Sequence, residues 1–343
     1  MPIPLILTGY GNVGKAFVRL LAEKHEDCRI HYGLEFDLAA VVRKSGSWAA
    51  AKIGQFFRLS GPSAVPLESM PGWKAGRTLS EVFDHFARLK KPGVLVECTP
   101  SNWRTGEPQL AFLNEAFDRG WHVAAASKGA LVFDFRNLRD KARAKNVALK
   151  FSGATAAALP TIDTALVSLA GATILGFEGI LTGTTNFLLN RLEQGLGFKE
   201  ALKEAQDKGI AEPDPSMDID GWDTACKLLL IANASVGTKF TIAEIPVEGI
   251  RNVTAKMIQD ARTSGHSLKL LGWLAEVDGV YRAEVGVVPV PETHPLFGVT
   301  GTSKGIVFRT DTMGQVVVSG GKSDPRGTAA ALLKDIINIY RRG

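Results

Sequence analysis

The stretch Ile3-Pro4-Leu5-Ile6-Leu7-Thr8-Gly9-Tyr10-Gly11-Asn12-Val13-Gly14-Lys15-Ala16-Phe17 decides the fold. Ile3 to Thr8 is an apolar run of strand length, and Lys15 to His25 carries the period of an amphipathic helix. Between them the glycines fall at G-x-G-x-x-G spacing. Gly9 permits a tight turn, Gly11 lets the backbone approach a pyrophosphate, Gly14 lets helix and strand pack closely, and the helix N-terminus adds a positive field. Asn12 and Val13 complete this candidate dinucleotide cradle. The same spacing without a ligand is a plain strand-to-helix turn. The strand before it, the helix after it and the alternation that follows favour the dinucleotide.

Further strands are expected over Asp37–Val42, Val94–Cys98, Trp121–Ser127 and Val147–Phe151, separated by helical stretches. Such alternation implies βαβ crossovers: an α/β, Rossmann-type domain with a mostly parallel sheet and ligands at the carboxyl ends of its strands. Lys44 to Pro71, rich in Gly, Ser and Pro, reads as an irregular excursion. After about residue 152 the pattern changes. Helix-like stretches (Thr161–Leu169, Thr185–Gln194, Phe198–Lys208, Thr224–Ala234) precede strand-like ones near Tyr281–Val290 and Gly305–Thr310, which is the order of an α+β domain. The chain closes on a strand, Gln315–Val318, a Gly-rich turn, and a helix from Thr328 with that threonine as expected N-cap. The tail is expected to rejoin the first domain. The expected division is therefore 1–152 plus 316–343 for the NAD(P)-binding domain and 153–315 for the second.

A chain of 343 residues is the length of about two domains. Its 45% apolar and 22% charged residues, with mean hydropathy +0.06, exclude disorder and a membrane bundle. The charge-free stretch Thr164–Phe177 is shorter than the roughly 18 apolar residues a membrane span needs. The N-terminus shows neither a basic n-region nor a small-residue cleavage site, so a cytoplasmic location is expected. A net charge of +5, spread along the chain, gives little support to nucleic-acid binding. Cys28, Cys98 and Cys226 are far apart and form no CxxC pair, the pattern of reduced thiols and not of a zinc site or disulfide framework.

Cofactor choice is read at the end of the second strand, which runs into Arg43-Lys44-Ser45. No acid stands there for the ribose hydroxyls of NAD. A guanidinium and an ammonium suit the 2′-phosphate of NADP, with a solvated basic turn as the alternative. Val94-Leu95-Val96-Glu97-Cys98 leads into Thr99-Pro100, and Ala124-Ala125-Ala126-Ser127 into Lys128-Gly129, so both turns are expected at the cofactor's edge of the sheet. A lysine delivered there by an apolar strand is either a proton donor or acceptor or a surface lysine at a strand end. The segment Glu212 to Asp223 holds five carboxylates in twelve residues, which call for a cationic partner. Asp223 and Lys227 are spaced i, i+4 on a helix apolar over most of its faces, so a buried pair is expected. Asp218 and Asp220 give a divalent-cation loop as the rival, without the EF-hand spacing or its terminal Glu.

Gly9-Tyr10-Gly11-Asn12-Val13-Gly14, Glu97-Cys98-Thr99-Pro100, Ser127-Lys128-Gly129, Glu178 to Asn186, Glu212-Pro213-Asp214-Pro215, Gly221 to Lys227, His294-Pro295-Leu296 and Gly327-Thr328-Ala329-Ala330 together resemble homoserine dehydrogenase, in order and over nearly the whole chain. The resemblance is to the short form, without an aspartokinase or ACT domain. It implies reduction of L-aspartate 4-semialdehyde to L-homoserine with NAD(P)H, catalysis by Lys128 and Lys227, substrate binding by Glu212 and Asp223, a cofactor loop that includes Gly327, and a homodimer whose second domain is catalytic and dimerising.

Elementary chemistry agrees. Interconverting an alcohol and an aldehyde needs a hydride carrier, a group that moves the hydroxyl proton, and charge for developing alkoxide; the two lysines supply the last two. Glu212 and Asp214 suit the substrate ammonium, and the backbone N–H groups of the Gly183-Thr184-Thr185 turn suit its carboxylate. The sequence departs from the family at three places. Ser152 stands where the family usually has a Glu that helps hold sodium, so a monovalent site is left to backbone carbonyls. Lys304 stands for a common Asn, and Ser319 to Gly327 replaces the usual Gly-Ala-Gly. A related oxidoreductase acting on another amino-hydroxy or hydroxy acid, and a catalytically silent NADP-binding regulator, are the alternatives; retention of Lys128, Asp223 and Lys227 together argues against the second.

Overall fold

The computed structural model describes residues 2–52, 66–87, 93–321 and 323–341. Residues 53–65 of the expected excursion and Lys322 of the late Gly-rich loop lie outside the described residues. The chain divides into two compact units, 1–157 with 324–343, and 158–323.

In the first unit β1 (Ile3–Thr8) feeds α1 (Asn12–Glu23), followed by α2 (His25–Tyr32), β2 (Phe36–Arg43), β3 (Gly46–Ala49), β4 (Trp73–Ala75), α3 (Leu79–His85), β5 (Val94–Glu97), α4 (Gln109–Asp118), β6 (His122–Ala125), α5 (Gly129–Ala144), β7 (Leu149–Lys150) and α6 (Ser152–Thr155). The sheet order is β4-β3-β2-β1-β5-β6-β7, with β2, β1, β5, β6 and β7 parallel. Chain order reverses direction beside β1, so the carboxyl ends of β1 and β5 form the switch point at which α/β sheets bind ligands. Leu5, Leu7, Val94 and Val96 are fully buried there, because a parallel sheet is covered on both faces.

Part of the expected irregular excursion is sheet. Lys44 and Ser45 turn β2 into the antiparallel β3, and β4 pairs β3 in turn. The alternation that marks a strand is short here, but Trp48 is completely buried and its indole N–H donates to Pro71 O at 2.8 Å.

The second unit holds a short helix α7 (Thr161–Asp163) that continues as a π turn over Thr164–Ser168, then β8 (Ile174–Ile180), α8 (Gly183–Glu193), α9 (Phe198–Asp207), α10 (Ser216–Ile219), α11 (Trp222–Ser235), α12 (Ala255–Thr263), β9 (His266–Val277), β10 (Val280–Pro291), β11 (Lys304–Thr310) and β12 (Gln315–Gly320). Its sheet is antiparallel throughout, ordered β10-β9-β8-β11-β12. Neither β8 nor β9 is anticipated from the sequence: β9 is buried on both faces over most of its length and shows no alternation.

The unit boundaries fall at 157/158 and 323/324, where the sequence reading set 152/153 and 315/316. β12 pairs with β11, which keeps residues 315–320 with the second unit. The tail helix α13 (Pro325–Tyr340) belongs to the first and packs on α1. Its N-cap is Asp324, not Thr328: the Asp324 carboxylate accepts the Gly327 N–H at 2.6 Å, with Pro325 at N1.

Candidate active site

In the first unit the three motif glycines do different work. Gly9 has φ +85°, and a Cβ there meets Cys98 O at 2.6 Å. A Cβ on Gly14 meets Gly9 O at 2.3 Å. At Gly11 a Cβ meets nothing within 4 Å. Gly9 and Gly14 thus answer to packing, while Gly11 leaves space over the start of α1. Gly11 caps that helix without a side-chain hydrogen bond, and the first turn, Asn12 and Val13 included, holds no acid, so N–H groups and positive field are unopposed. Uncapped donors beside a side-chain-free surface fit a pyrophosphate.

At the end of β2, Arg43 and Lys44 are exposed, and Arg43 is paired with the carboxylate of Glu68. The expectation that no carboxylate competes for this basic turn is thereby corrected. Glu68 is 25 residues away in sequence, in a 3-10 turn (Leu67–Ser69) after the excursion, and nothing local announces it.

At the ends of β5 and β6, Thr99 and Lys128 are half-buried and Pro100 exposed. Thr99 N–H donates to Glu97 Oε1 at 2.7 Å, and Lys128 N–H to Ser101 Oγ at 2.9 Å. Gly327 is buried with its N–H taken by Asp324, so it offers no donor to a cofactor.

In the second unit β8 ends at Ile180, and Leu181-Thr182 turn into α8. Lys227 Nζ lies 2.6 Å from Asp223 Oδ2 and donates to Leu181 O at 2.9 Å; the two side chains are only 15% and 14% exposed. Thr182 Oγ1 donates to the same Asp223 oxygen at 3.2 Å. The pair therefore sits at the N-terminus of α8, where Gly183 and Thr184 begin a helix with no side-chain cap and no acid in its first turn. The close approach of Thr302 O, 2.7 Å from any Cβ at Gly183, explains the glycine. Thr184 Oγ1 donates to Ile210 O at 3.2 Å, tying α8 to the chain just before the acidic segment.

Of that segment, Glu212 and Asp214 are exposed. Asp214 Oδ1 accepts the Ser216 N–H at 3.1 Å, and that side-chain and backbone hydrogen bonding holds its carboxyl below the usual range. Asp220 is engaged by Arg251, one oxygen at 3.1 Å from Nη2. The rival cation loop loses a ligand to that ion pair, and among the described residues no group of three or more His, Cys, Asp and Glu is placed to hold a metal.

Comparison with known proteins joins the two halves. The family profile described as homoserine dehydrogenase matches residues 160–337, and that of the homoserine dehydrogenase NAD binding domain matches residues 9–152. The chain belongs to the homoserine dehydrogenase family. It is similar to a homoserine dehydrogenase from Methanocaldococcus jannaschii, 35% identical over 98% of both chains, and to an NAD(+)-dependent homoserine dehydrogenase from Pseudomonas canavaninivorans, 32% identical over 98% of this chain and 96% of that one. Among solved structures a candidate homoserine dehydrogenase from Archaeoglobus fulgidus superposes with TM-score 0.84 at 30% identity, covering 99% of this chain and all of the other. As a member of this family the chain is an oxidoreductase that uses a nicotinamide dinucleotide.

Ser152, where the resemblance implies a sodium-holding Glu, lies in a polar cluster of the chain's own side chains. Ser152 N–H and Oγ–H both donate to the Asp335 carboxylate, at 2.8 and 2.7 Å, and Lys334 Nζ donates to Ser152 Oγ at 2.8 Å. An ammonium of the chain itself occupies that polar cluster, so its side chains do not fit a sodium ion. Lys304 is buried in β11, and Cys226 is buried in α11 beside Lys227.

Proposed function

We propose that the chain is an NADP-preferring homoserine dehydrogenase that interconverts L-aspartate 4-semialdehyde and L-homoserine. The observation that carries the reading is the Asp223–Lys227 pair at the uncapped start of α8. Gly11 and the first turn of α1 would hold the dinucleotide, which would supply or accept the hydride. Lys227, held by Asp223 and Leu181 O, moves the proton at the substrate oxygen, and Lys128 stabilises negative charge developing on that oxygen. The N–H groups of Gly183 and Thr184 bind the α-carboxylate, and Glu212 and Asp214 the α-ammonium.

Arg43 and Lys44 favour the 2′-phosphate, with Glu68 offsetting part of their charge and allowing NAD as second choice. Half-exposed apolar side chains on the second sheet, Val280 and Val317 among them, support a homodimer. Three free cysteines suit the reducing cytoplasm, and among the described residues no helix is long and apolar enough to cross a membrane.

The test is oxidation of L-homoserine, L-serine and L-threonine with NADP and with NAD. Strong preference for L-homoserine is expected; equal rates on the three would turn the reading to a broader hydroxy-acid oxidoreductase.

A further inference from the structure

Glu97, the last residue of β5, is completely buried at the end of an otherwise apolar strand. Both of its oxygens are used, and on different elements. Oε1 accepts from the Thr99 N–H at 2.7 Å and from the Thr99 hydroxyl; Oε2 accepts from the Ser127 hydroxyl, thirty residues on at the end of β6. The Thr99 hydroxyl in turn accepts from Gln109 Nε2 at 2.9 Å, which also donates to Pro100 O. Across from them Lys128 N–H donates to Ser101 Oγ, and a Cβ on Gly129 would lie 2.8 Å from Asn102 N. The start of α5 is thus seated against the turn after β5.

An apolar residue would hold β5 in the sheet without the penalty of burying a carboxylate. What the carboxylate adds is a two-pronged acceptor that fixes two hydroxyl-bearing turns against each other at the ligand-binding edge. We propose that Glu97 is a positioning residue: by bridging Thr99 and Ser127 it sets the placement of Lys128. This rests on the reading of Lys128 as a catalytic lysine. Gln offers one acceptor oxygen where two are used, and Asp is a methylene short of spanning both turns.

The test is a double-mutant cycle in the full-length enzyme. Glu97→Gln and Ser127→Ala are each made in the wild-type and Lys128→Ala backgrounds, with kcat read in single turnovers and cofactor affinity by nicotinamide fluorescence. Ser127→Ala removes one strut only and covers the case in which Glu97→Gln fails to fold. In the wild-type background we expect kcat to fall on the order of tenfold or more for Glu97→Gln and several-fold for Ser127→Ala, with cofactor affinity after Ser127→Ala within about twofold. In the Lys128→Ala background neither substitution lowers kcat by more than about twofold. Equal losses in both backgrounds, or kcat within about twofold of wild type for both single variants, overturn the proposal. Near-normal turnover of Lys128→Ala alone overturns the reading of Lys128 and this inference with it, whereas additive losses beside a Lys128→Ala that is strongly slowed but still measurable overturn the inference alone.

Discussion

Lys227 Nζ stands 2.6 Å from Asp223 Oδ2 and 2.9 Å from Leu181 O, so one ammonium joins helix α11 to the turn that starts α8. An i, i+4 pair in solvent contributes only a few tenths of a kcal/mol. This one is largely buried, and the carbonyl contact fixes the lysine beside the uncapped N–H groups of α8. Lys227→Ala is expected to lower turnover on the order of a hundredfold or more while nicotinamide binding stays within about twofold. Stopped-flow kinetics with a fluorescence titration checks both; near-normal turnover removes Lys227 from the mechanism.

The motif glycines differ in how closely they are packed, which lets packing and the proposed binding role be tested apart. Gly9→Ala and Gly14→Ala force a Cβ to within 2.6 and 2.3 Å of backbone oxygens and should each cost about 1–3 kcal/mol of stability. Gly11→Ala meets no neighbour within 4 Å, so it should leave Tm unchanged and weaken the dinucleotide about tenfold or more. Calorimetric melting and cofactor titration on the three variants decide it; a Gly11→Ala that melts early yet binds normally contradicts the assignment.

Arg43 is paired with Glu68 at the turn proposed to choose between NADP and NAD. Removing the carboxylate with Glu68→Gln releases the guanidinium to a 2′-phosphate and should raise the NADP over NAD ratio of kcat/KM several-fold. Arg43→Ala should lower it. A ratio unmoved by both variants would place the 2′-position elsewhere.

The first half of the fold was legible because its signals are local. β1 is found at its expected bounds, and the glycines of the cradle at the expected turn. The Asp223–Lys227 pair was legible for the same reason, since spacing along one helix brings the two together. What escaped depends on distant partners: Glu68 on Arg43, Leu181 O on Lys227, Asp335 on Ser152. The N-cap of the tail helix was misplaced because Thr328 and Asp324 are both good capping residues, and only the Gly327 N–H bond separates them. Glu97 carried one signal, a lone acid closing an apolar strand.

Burial dominates the Glu97 carboxyl and raises its pKa above the ordinary 4.5, against the opposing hydrogen bonds from Ser127 and Thr99. The folded chain therefore keeps this proton to higher pH than the unfolded chain, and the stability from this group falls as pH rises through that window. Glu97→Gln removes the dependence. The difference in Tm, variant minus wild type, should grow from pH 4 toward pH 7; a difference that is flat or shrinks contradicts the buried, charge-penalised carboxylate.

The most direct test of the central claim is the loss of reduced-nicotinamide absorbance when the purified protein meets L-aspartate 4-semialdehyde, with NADPH and separately with NADH. Rapid oxidation, faster with NADPH, is the predicted result. Absence of turnover with either nucleotide, while both still bind, would contradict it.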